Sequence, residues 1–241
     1  MVSKNQIKLI SSLHQKKFRA VHGLFIAEGI KVISELIGSQ FELEHLYVTE
    51  PLFPEIPVSG KTMISETDLK KMSALATANN ALAVFKIPAS ADITPSGLIV
   101  ALDDIRDPGN LGTIIRLCDW FGIAQIVCSQ ETADLYNPKV VQATMGSMAR
   151  VKVGYVNLGD FLAKTKLPVF GTFMDGDNIY KTDLATEGII VMGNEANGIS
   201  KEIEKLTKRR IAIPRFGTLQ QTESLNVATA TAIILSEFRR N

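Results

Sequence analysis

Two polar loops near the carboxyl end of the chain hold the residues best suited to chemistry. The first loop, NEANG, follows the apolar run IIVM and carries Glu195 between Gly193 and Gly198. The second loop follows the apolar run IAIP and leads to Ser224 and Asn226. Carboxylate, amide and hydroxyl groups can orient a ligand or assist proton transfer. Glycine-bearing loops that open helices leave backbone N–H groups free for a ligand.

Each of these loops stands where a strand should meet a helix. Short apolar runs such as IIVM and IAIP are typical of parallel strands that are buried on both faces. Ser200 occupies the position of a helix N-cap, and Glu202 and Glu204 lie in the first turn, where the helix dipole favours acids. We therefore expect both loops at the carboxyl edge of one sheet, where open α/β folds bind ligands. The competing interpretation is an ordinary junction whose glycines serve only tight turns.

A third segment, DDIRDPGNLGTIIRLCDWFG, resembles the first motif of the SpoU (TrmH-like) RNA ribose 2′-O-methyltransferases. GNEANGIS, followed by IAIP and SLNVATATAI, is similar to the last two motifs of that family, and the resemblance covers about Leu98 to Arg240. It implies an α/β fold, a SPOUT-type parallel sheet with a C-terminal trefoil knot. It also implies S-adenosyl-L-methionine as cofactor and structured RNA, ribosomal or transfer, as substrate.

The same resemblance implies a catalytic set. Its members are Asn110, Arg116, Glu195, Ser224 and Asn226. If Asn110 caps its helix, Arg116 lies nearly two turns in and reaches the sheet edge only by its length. The matching family arginine is often drawn as a general base, but arginine stays protonated, so holding a phosphate and stabilising an alkoxide fits better. Asn110 and Glu195 could clamp one another or fix Arg116. Ser224 or Asn226 could bond the ribose hydroxyl, unless Ser224 is simply a cap.

The candidate cofactor contacts lie where strands end. Three of them match positions at which the family binds the cofactor largely through main chain: Gly193, Ile213 and Leu225. Gly198 of the first loop and Thr172, at the end of another predicted strand, complete the set. The stretch RFGTLQQTE, residues 215–223, is longer than the family pattern.

The amino end of the chain is basic. No acid precedes Glu28, whereas this stretch contains Lys4, Lys8, Lys16, Lys17 and Arg19. Such cations attract a polyanion, so we interpret them as an RNA-binding patch; the alternative is a solvated face. FIAEG followed by a helix resembles the small ribosomal-protein-like RNA-binding domain of many SpoU-type enzymes. The predicted division is a small α/β RNA substrate-binding domain at 1–88, a linker at 89–97 and the methyltransferase domain at 98–241.

Hydrophobic patterning predicts alternating strands and helices. The predicted strands are 24–27, 43–48, 81–87, 98–102, 126–128, 151–155, 169–174, 189–192 and 211–213. The predicted helices are 3–13, 30–37, 68–73, 110–121, 138–148 and 158–164, with a last one ending at Phe238. Bulky residues on that last helix, Ile233, Ile234, Leu235 and Phe238, exceed what one domain edge needs, and the family pairs through this region. A homodimer is therefore expected.

Composition excludes several classes of protein. The net charge of +1 over 241 residues makes any nucleic-acid surface a local patch. We expect a cytoplasmic protein without membrane or metal partners, because no apolar stretch reaches ~18 residues and the two cysteines lack ligand spacing. No G-x-G-x-x-G follows a strand, which argues against a Rossmann oxidoreductase. The remaining alternative is a catalytically inactive RNA-binding protein on the same fold.

Overall fold

The structure is a computed structural model, and it describes residues 2–89, 93–218 and 224–240. These residues form two compact units. The first comprises the chain up to Ala89 together with Asp134–Ala149, and the second comprises the rest. The predicted single division around 89–97 is therefore incomplete, because the chain returns to the first unit at Asp134. Part of the predicted linker and part of the loop 215–223 lie outside the described residues.

The first unit is built on a four-stranded sheet in the order β1-β4-β2-β3. Its strands are β1 (Leu24–Glu28), β2 (Leu43–Val48), β3 (Lys61–Met63) and β4 (Ala81–Lys86). Its first four helices are α1 (Lys4–Ser12), α2 (Lys16–His22), α3 (Ile30–Ile37) and α4 (Glu66–Met72). Ser3 caps α1 through a capping box with Gln6, as Ser3 was expected to do. The short β3 was missed because three residues carry too little periodicity to identify a strand.

The returning segment contributes helix α6 (Pro138–Thr144) to the first unit, after helix α5 of the second unit (Pro108–Trp120). Helix α6 packs against β1, and the Tyr136 ring lies 4.9 Å from the Phe25 ring, centroid to centroid. The helix was predicted to reach 148 but ends at Thr144. Met145 and Gly146 have φ values of 51° and 95°, which right-handed helices do not accommodate.

Arg19 is a structural residue of the first unit, and its assignment to the RNA-binding patch is wrong. Its side chain is 2% exposed. The guanidinium donates to the carbonyls of Leu13 and His14 at 2.7 and 2.9 Å and pairs with Asp134 at 2.5 Å between Nη2 and Oδ2. A guanidinium sealed in this way is not accessible to a phosphate group. Local sequence patterns do not reveal the pair, because its partners are 115 residues apart.

The second unit contains a six-stranded sheet, all parallel over the described residues, in the order β10-β8-β9-β5-β6-β7. Its strands are β5 (Leu98–Asp103), β6 (Gln125–Cys128), β7 (Lys152–Tyr155), β8 (Val169–Asn178), β9 (Gly188–Gly193) and β10 (Arg209–Ala212). Its helices are α5, α7 (Leu158–Lys164), α8 (Lys201–Glu204) and α9 (Val227–Phe238). The predicted α/β fold with a parallel sheet is confirmed.

Burial explains the apolar runs of the central strands. Alternate residues of β5 and β9 pack with Leu158 and Leu162 of α7 and with Ile203 of α8 on one face. Helix α5 packs against α9 and β6, and α9 packs against β9. Cys118 and Cys128 are buried free thiols, as the apolar runs around them predict, and burial raises the pKa of each.

Strand β8 is longer than predicted because a long bulge interrupts its pairing with β10 and the pairing then resumes. Gly171 pairs with Arg210 while Asp177 pairs with Ile211, so residues 172–176 leave the ladder between two successive rungs. Arg210 holds the bulge: its guanidinium carbon lies 3.6 Å from the Phe173 ring centroid, and Nη2 lies 2.5 Å from Asp175 Oδ1. This hydrogen bond keeps the pKa of Asp175 below its ordinary value.

Most of the apolar surface of the last helix, α9, is buried within the second unit. Ile234, Leu235 and Phe238 are buried, and the Phe238 ring makes an edge contact with Phe170. The predicted excess of apolar surface on α9 is therefore wrong for these three residues; Ile233 is partly exposed. None of the helices in the described parts of the chain combines the length and apolarity that a membrane span requires.

The buried Arg19–Asp134 pair predicts a large and specific loss of stability. Arg19→Met should lower the free energy of unfolding by about 3 to 5 kcal/mol, because Asp134 is left partly buried without its counter-charge. Urea unfolding followed by circular dichroism measures this. Lys17→Ala, an exposed cation in the same helix, should change stability by less than about 0.5 kcal/mol. Equal effects of the two substitutions would contradict a structural role for Arg19.

Candidate functional site

Three of the predicted catalytic residues form one hydrogen-bonded chain. Asn110 Nδ2 donates to Glu195 Oε1 at 2.7 Å, and Asn226 Nδ2 donates to Asn110 Oδ1 at 2.9 Å. These hydrogen bonds join the beginning of α5, the loop after β9 and the beginning of α9. The expected clamp between Asn110 and Glu195 is present. These residues are separated by 85 and 116 positions in sequence, so only the fold brings them together.

The first turn of α5 presents Asn110. The helix begins at Pro108, and its N-cap is Asp107, whose Oδ1 accepts the Asn110 N–H at 2.8 Å. The expectation that Asn110 itself caps the helix is therefore wrong. Because the backbone of Asn110 is held by Asp107, its side-chain amide is free to face the neighbouring loops. Proline at the first helical position is favoured there because it needs no backbone donor.

Glu195 lies in a loop that is held by hydrogen bonds among its own residues. Asn194 and Gly198 exchange backbone hydrogen bonds at 3.0 and 2.8 Å, and Asn194 Oδ1 accepts the N–H groups of Ala196 and Asn197. The Asn194 side chain also donates to the Asp104 carbonyl at 2.7 Å. A Cβ atom on Gly193 would lie 2.3 Å from the backbone of Gly198 and Ile199, so this approach requires glycine.

Two acids of the segment after β5 organise the same region and were not recognised in the sequence. Asp103 is buried, and its Oδ2 accepts the Ser200 N–H at 2.7 Å, which fixes the start of α8. Asp104 has a φ of 61°, and its N–H donates to Ser129 Oγ at 3.0 Å. The available signal was the pair of acids directly after a fully buried strand. Ser200 is at the N-cap position as predicted, but its side chain makes no capping bond.

Asn226 has two functions at the start of α9. Its Oδ1 accepts the N–H groups of Ala228 and Thr229 at 2.9 and 3.2 Å, so Asn226 is the N-cap. The same amide group donates to Asn110 through Nδ2. The option that Ser224 caps the helix is wrong; Ser224 is exposed two residues before the cap.

Arg116 lies on α5 and is exposed. Among the described residues, no hydrogen bond or ion pair holds its guanidinium. The option that Asn110 and Glu195 fix Arg116 is therefore not observed here, whereas their mutual clamp is. An unpaired, permanently charged guanidinium can bind an anion without first breaking an internal bond.

The candidate cofactor positions offer backbone groups and uncharged side chains. The five residues carry no charged side chain: Thr172, Gly193, Gly198, Ile213 and Leu225. Thr172 lies in β8 at the start of its bulge, Gly193 ends β9 and Gly198 lies in the loop after it. Ile213 follows β10 and Leu225 precedes α9. Strands β8, β9 and β10 run parallel, so they point to the same edge of the sheet. Leu225 is 48% exposed and offers an apolar contact. The Thr172 hydroxyl donates to the Val191 carbonyl at 2.9 Å, so it links β8 to β9.

The remaining residues of the predicted RNA-binding patch are exposed. Lys4 and Lys8 lie on α1, and Lys16 and Lys17 lie on α2. Lys17 Nζ lies 4.7 Å from the centroid of the Phe18 ring. Within the described parts of the chain, no group of three or more His, Cys, Asp or Glu side chains is placed to hold a metal ion.

Comparisons with known proteins agree with this arrangement. Residues 97–236 match the model of the SpoU rRNA Methylase family, and residues 4–83 match that of an MRM3-like substrate binding domain. A TrmH-family protein from Porphyromonas gingivalis has a similar solved structure, with a TM-score of 0.91, 38% identity and coverage of 100% of this chain and 99% of that one.

Two further relatives extend the comparison. An AdoMet-bound rRNA methyltransferase from Sinorhizobium meliloti has a TM-score of 0.88 at 29% identity, with 100% of this chain and 97% of that chain covered. The 23S rRNA (guanosine(2553)-2′-O)-methyltransferase RlmP of Bacillus subtilis is 29% identical over 98% of this chain and 97% of its own length.

The two functions of Asn226 can be separated by substitution. Asn226→Ala should lower the free energy of unfolding by about 1 kcal/mol, because it removes the cap of α9. Asn226→Asp should stay within about 0.5 kcal/mol of the parent, because aspartate caps equally well. Both changes remove the donor to Asn110. Urea unfolding measures the difference; if Asn226→Asp destabilises as much as Asn226→Ala, the bond to Asn110 holds the helix start and the cap does not.

Proposed function

The chain belongs to the SpoU rRNA methylase family, and we propose that it methylates the ribose 2′-hydroxyl of structured ribosomal RNA with S-adenosyl-L-methionine. The observation that carries this function is the hydrogen-bonded chain Glu195–Asn110–Asn226, which lies at the carboxyl edge of the sheet, where Glu195 follows the end of β9 at Gly193. The choice of ribosomal RNA is supported by relatives named as rRNA methyltransferases.

The reaction asks for positioning more than for covalent chemistry by the protein. S-adenosyl-L-methionine, when bound, supplies a methyl group that is already activated by its sulfonium. The protein must then hold the ribose hydroxyl in line with that methyl group and help to remove the proton of the hydroxyl. Backbone groups at Gly193, Gly198 and Ile213, with the apolar side chain of Leu225, are the proposed cofactor contacts. Thr172 is proposed mainly as the link between β8 and β9.

Arg116 is proposed as the residue that binds the negatively charged groups of the RNA. Its guanidinium stays protonated, so it can hold an RNA phosphate and stabilise the alkoxide that forms as the 2′-hydroxyl loses its proton. A role as general base would require a neutral guanidine, which proteins rarely provide. Its exposure and its lack of a partner among the described residues support an anion-binding role.

The hydrogen-bonded chain Glu195–Asn110–Asn226 is proposed to orient the substrate ribose. A carboxylate accepts several hydrogen bonds, so Glu195 can hold Asn110 and a hydroxyl or guanidinium donor together. The Asn110 amide is locked by bonds on both sides, which reduces its freedom before the substrate arrives. Ser224, exposed just before Asn226, remains a proposed contact to the ribose hydroxyl.

The first unit is proposed to bind RNA and leave the chemistry to the second. Its match to an MRM3-like substrate binding domain supports this, as do the exposed lysines of α1 and α2. Family membership also supports a trefoil knot in the second unit, a homodimer and a cytoplasmic location. For the dimer, the partly exposed Ala230, Ala232 and Ile233 of α9 are the proposed contacts.

Arg116→Ala should abolish methyl transfer while leaving cofactor affinity within about twofold of the parent, because the proposed cofactor contacts are backbone groups of other elements. Transfer of labelled methyl groups to rRNA from a strain lacking the protein, and calorimetry with the cofactor, measure the two properties. Arg116→Lys should keep part of the activity because it keeps the charge.

The matched control for Arg116 is Lys164→Ala, which removes an exposed cation from α7. It should have no effect on transfer. Residual turnover of Arg116→Ala within tenfold of the parent would exclude the assigned role. A parent protein that binds RNA but transfers no methyl group would favour the inactive RNA-binding alternative.

The lysines of the first unit should contribute affinity and not turnover. Each phosphate contact releases counterions, so log affinity falls with log salt by about 0.7 to 0.9 per contact. The double variant Lys16→Ala, Lys17→Ala should flatten that slope by about 1.4 to 1.8 and leave turnover at saturating RNA unchanged. Lys164→Ala with Lys166→Ala, in the second unit, is the charge-matched control. An unchanged slope in the first double variant would show that these lysines form a solvated face.

A further inference from the structure

An exposed pair of aromatic side chains stands at the active edge of the second unit. The rings of Tyr180 and Phe216 lie 6.4 Å apart, centroid to centroid, with an interplanar angle of 31°. Phe216 is 82% exposed and Tyr180 is 40% exposed. Two exposed rings held side by side form a small continuous apolar surface, unlike a single exposed apolar side chain, and such a surface is a candidate binding site.

Both rings follow strands that end at the same edge of the sheet as the hydrogen-bonded chain Glu195–Asn110–Asn226. Tyr180 follows β8 in a turn that is anchored by buried Ile179 and by the bond from the Tyr180 N–H to Asn178 Oδ1 at 3.0 Å. Phe216 follows β10, the neighbour of β8. The sheet order places β8 and β10 two and three strands from β5, a sideways distance of about 10 to 15 Å.

The surroundings of the pair favour an anionic partner that carries flat rings. Lys181 and Arg215, each directly next to one ring in sequence, are exposed cations, and the exposed acids Asp177 and Asp183 lie on the Tyr180 side of the pair. Single-stranded nucleic acid is bound by this combination, in which aromatic rings stack on bases while cations meet the backbone. The cofactor would satisfy the apolar contact but has no polyanionic backbone to meet the cations.

We propose that Tyr180 and Phe216 form a stacking platform for an unpaired base of the RNA, close to the nucleotide whose ribose is methylated. This inference rests on the proposed function and deepens it, because it assigns a substrate contact outside the catalytic chain. The platform selects RNA whose target lies in a loop or bulge, where bases are free to stack on protein.

Substitutions of Phe216 separate stacking from simple apolar contact. Phe216→Leu keeps an apolar side chain but has no ring, and it should lower kcat/KM for rRNA by about 5- to 150-fold, mainly through KM. Phe216→Trp should retain parent activity, and Tyr180→Phe should do so too, because each keeps a ring. Cofactor affinity should be unchanged in all three variants. If Phe216→Leu matches the parent while the parent is active, the platform is excluded and the proposed function stands.

A fluorescence experiment tests the platform without any turnover. Trp120 is the single tryptophan of the chain and is exposed on α5, so Trp120→Phe combined with Phe216→Trp leaves one indole, on the platform. Adding rRNA from a strain lacking the protein should quench this indole through stacking, and cofactor alone should not. The parent protein, whose single indole is Trp120, is the control. Its fluorescence should not be quenched when the same RNA and cofactor are added.

The other possible occupants are outcomes of the same experiment. Quenching by S-adenosyl-L-methionine alone, with weaker cofactor binding in Phe216→Leu, would make the pair a cofactor lid and overturn the proposal. A change of mass in light scattering between parent and Phe216→Leu would make it a contact between two copies of the chain, with the same consequence. Failure of the parent to methylate RNA, despite clear quenching, would count against the proposed function and leave the platform supported.

Discussion

The parallel pairing of β5 with β9 is the constraint on which the rest of the site depends. It sets Asp103 level with Gly193, so the segment after each strand begins at the same height on the same edge. Short bonds can then form between the two segments: Ser200 to Asp103, Asn194 to the Asp104 carbonyl, and Asn110 to Glu195. Both strands are buried on both faces, so an alternation of apolar and polar residues does not select this register; the fit of the side chains against the helices and the bonds between the two segments do.

Rigid and adjustable parts of the site have different physical origins. The strands are held by burial of apolar residues on both faces, which supplies most of the stability. The site itself consists of polar groups at the solvent edge, where each hydrogen bond contributes little net free energy. Asn226 connects the two parts, because one amide both caps α9 and holds Asn110. Losing its donor while keeping its cap therefore affects the site more than the fold.

The basic amino end shows that the same residue type can have opposite uses. Lys16 and Lys17 are solvent-exposed charges, whereas Arg19, two positions further on, is sealed inside the first unit. A planar guanidinium with five donors can satisfy two carbonyls and a carboxylate at once, which an ammonium group cannot match geometrically. The returning segment Asp134–Ala149 supplies that carboxylate and packs the tilted ring of Tyr136 against Phe25, so the first unit depends on residues far along the chain.

The sequence by itself determined the order and type of most elements and the parallel sheet, because local periodicity and the end of each strand carry that information. The grouping of Asn110, Glu195 and Asn226 in one site was implied by the resemblance of three separate motifs to one family, and not by periodicity. Only the tertiary structure decided that Asp107 and Asn226 are the caps, that Asp103 and Asn194 brace the loops, that β8 bulges at 172–176, and that Arg19 is buried. The reason is physical: periodicity reports which side of an element is apolar, whereas a hydrogen-bond partner is chosen by distance in space, and these partners lie up to 116 residues apart.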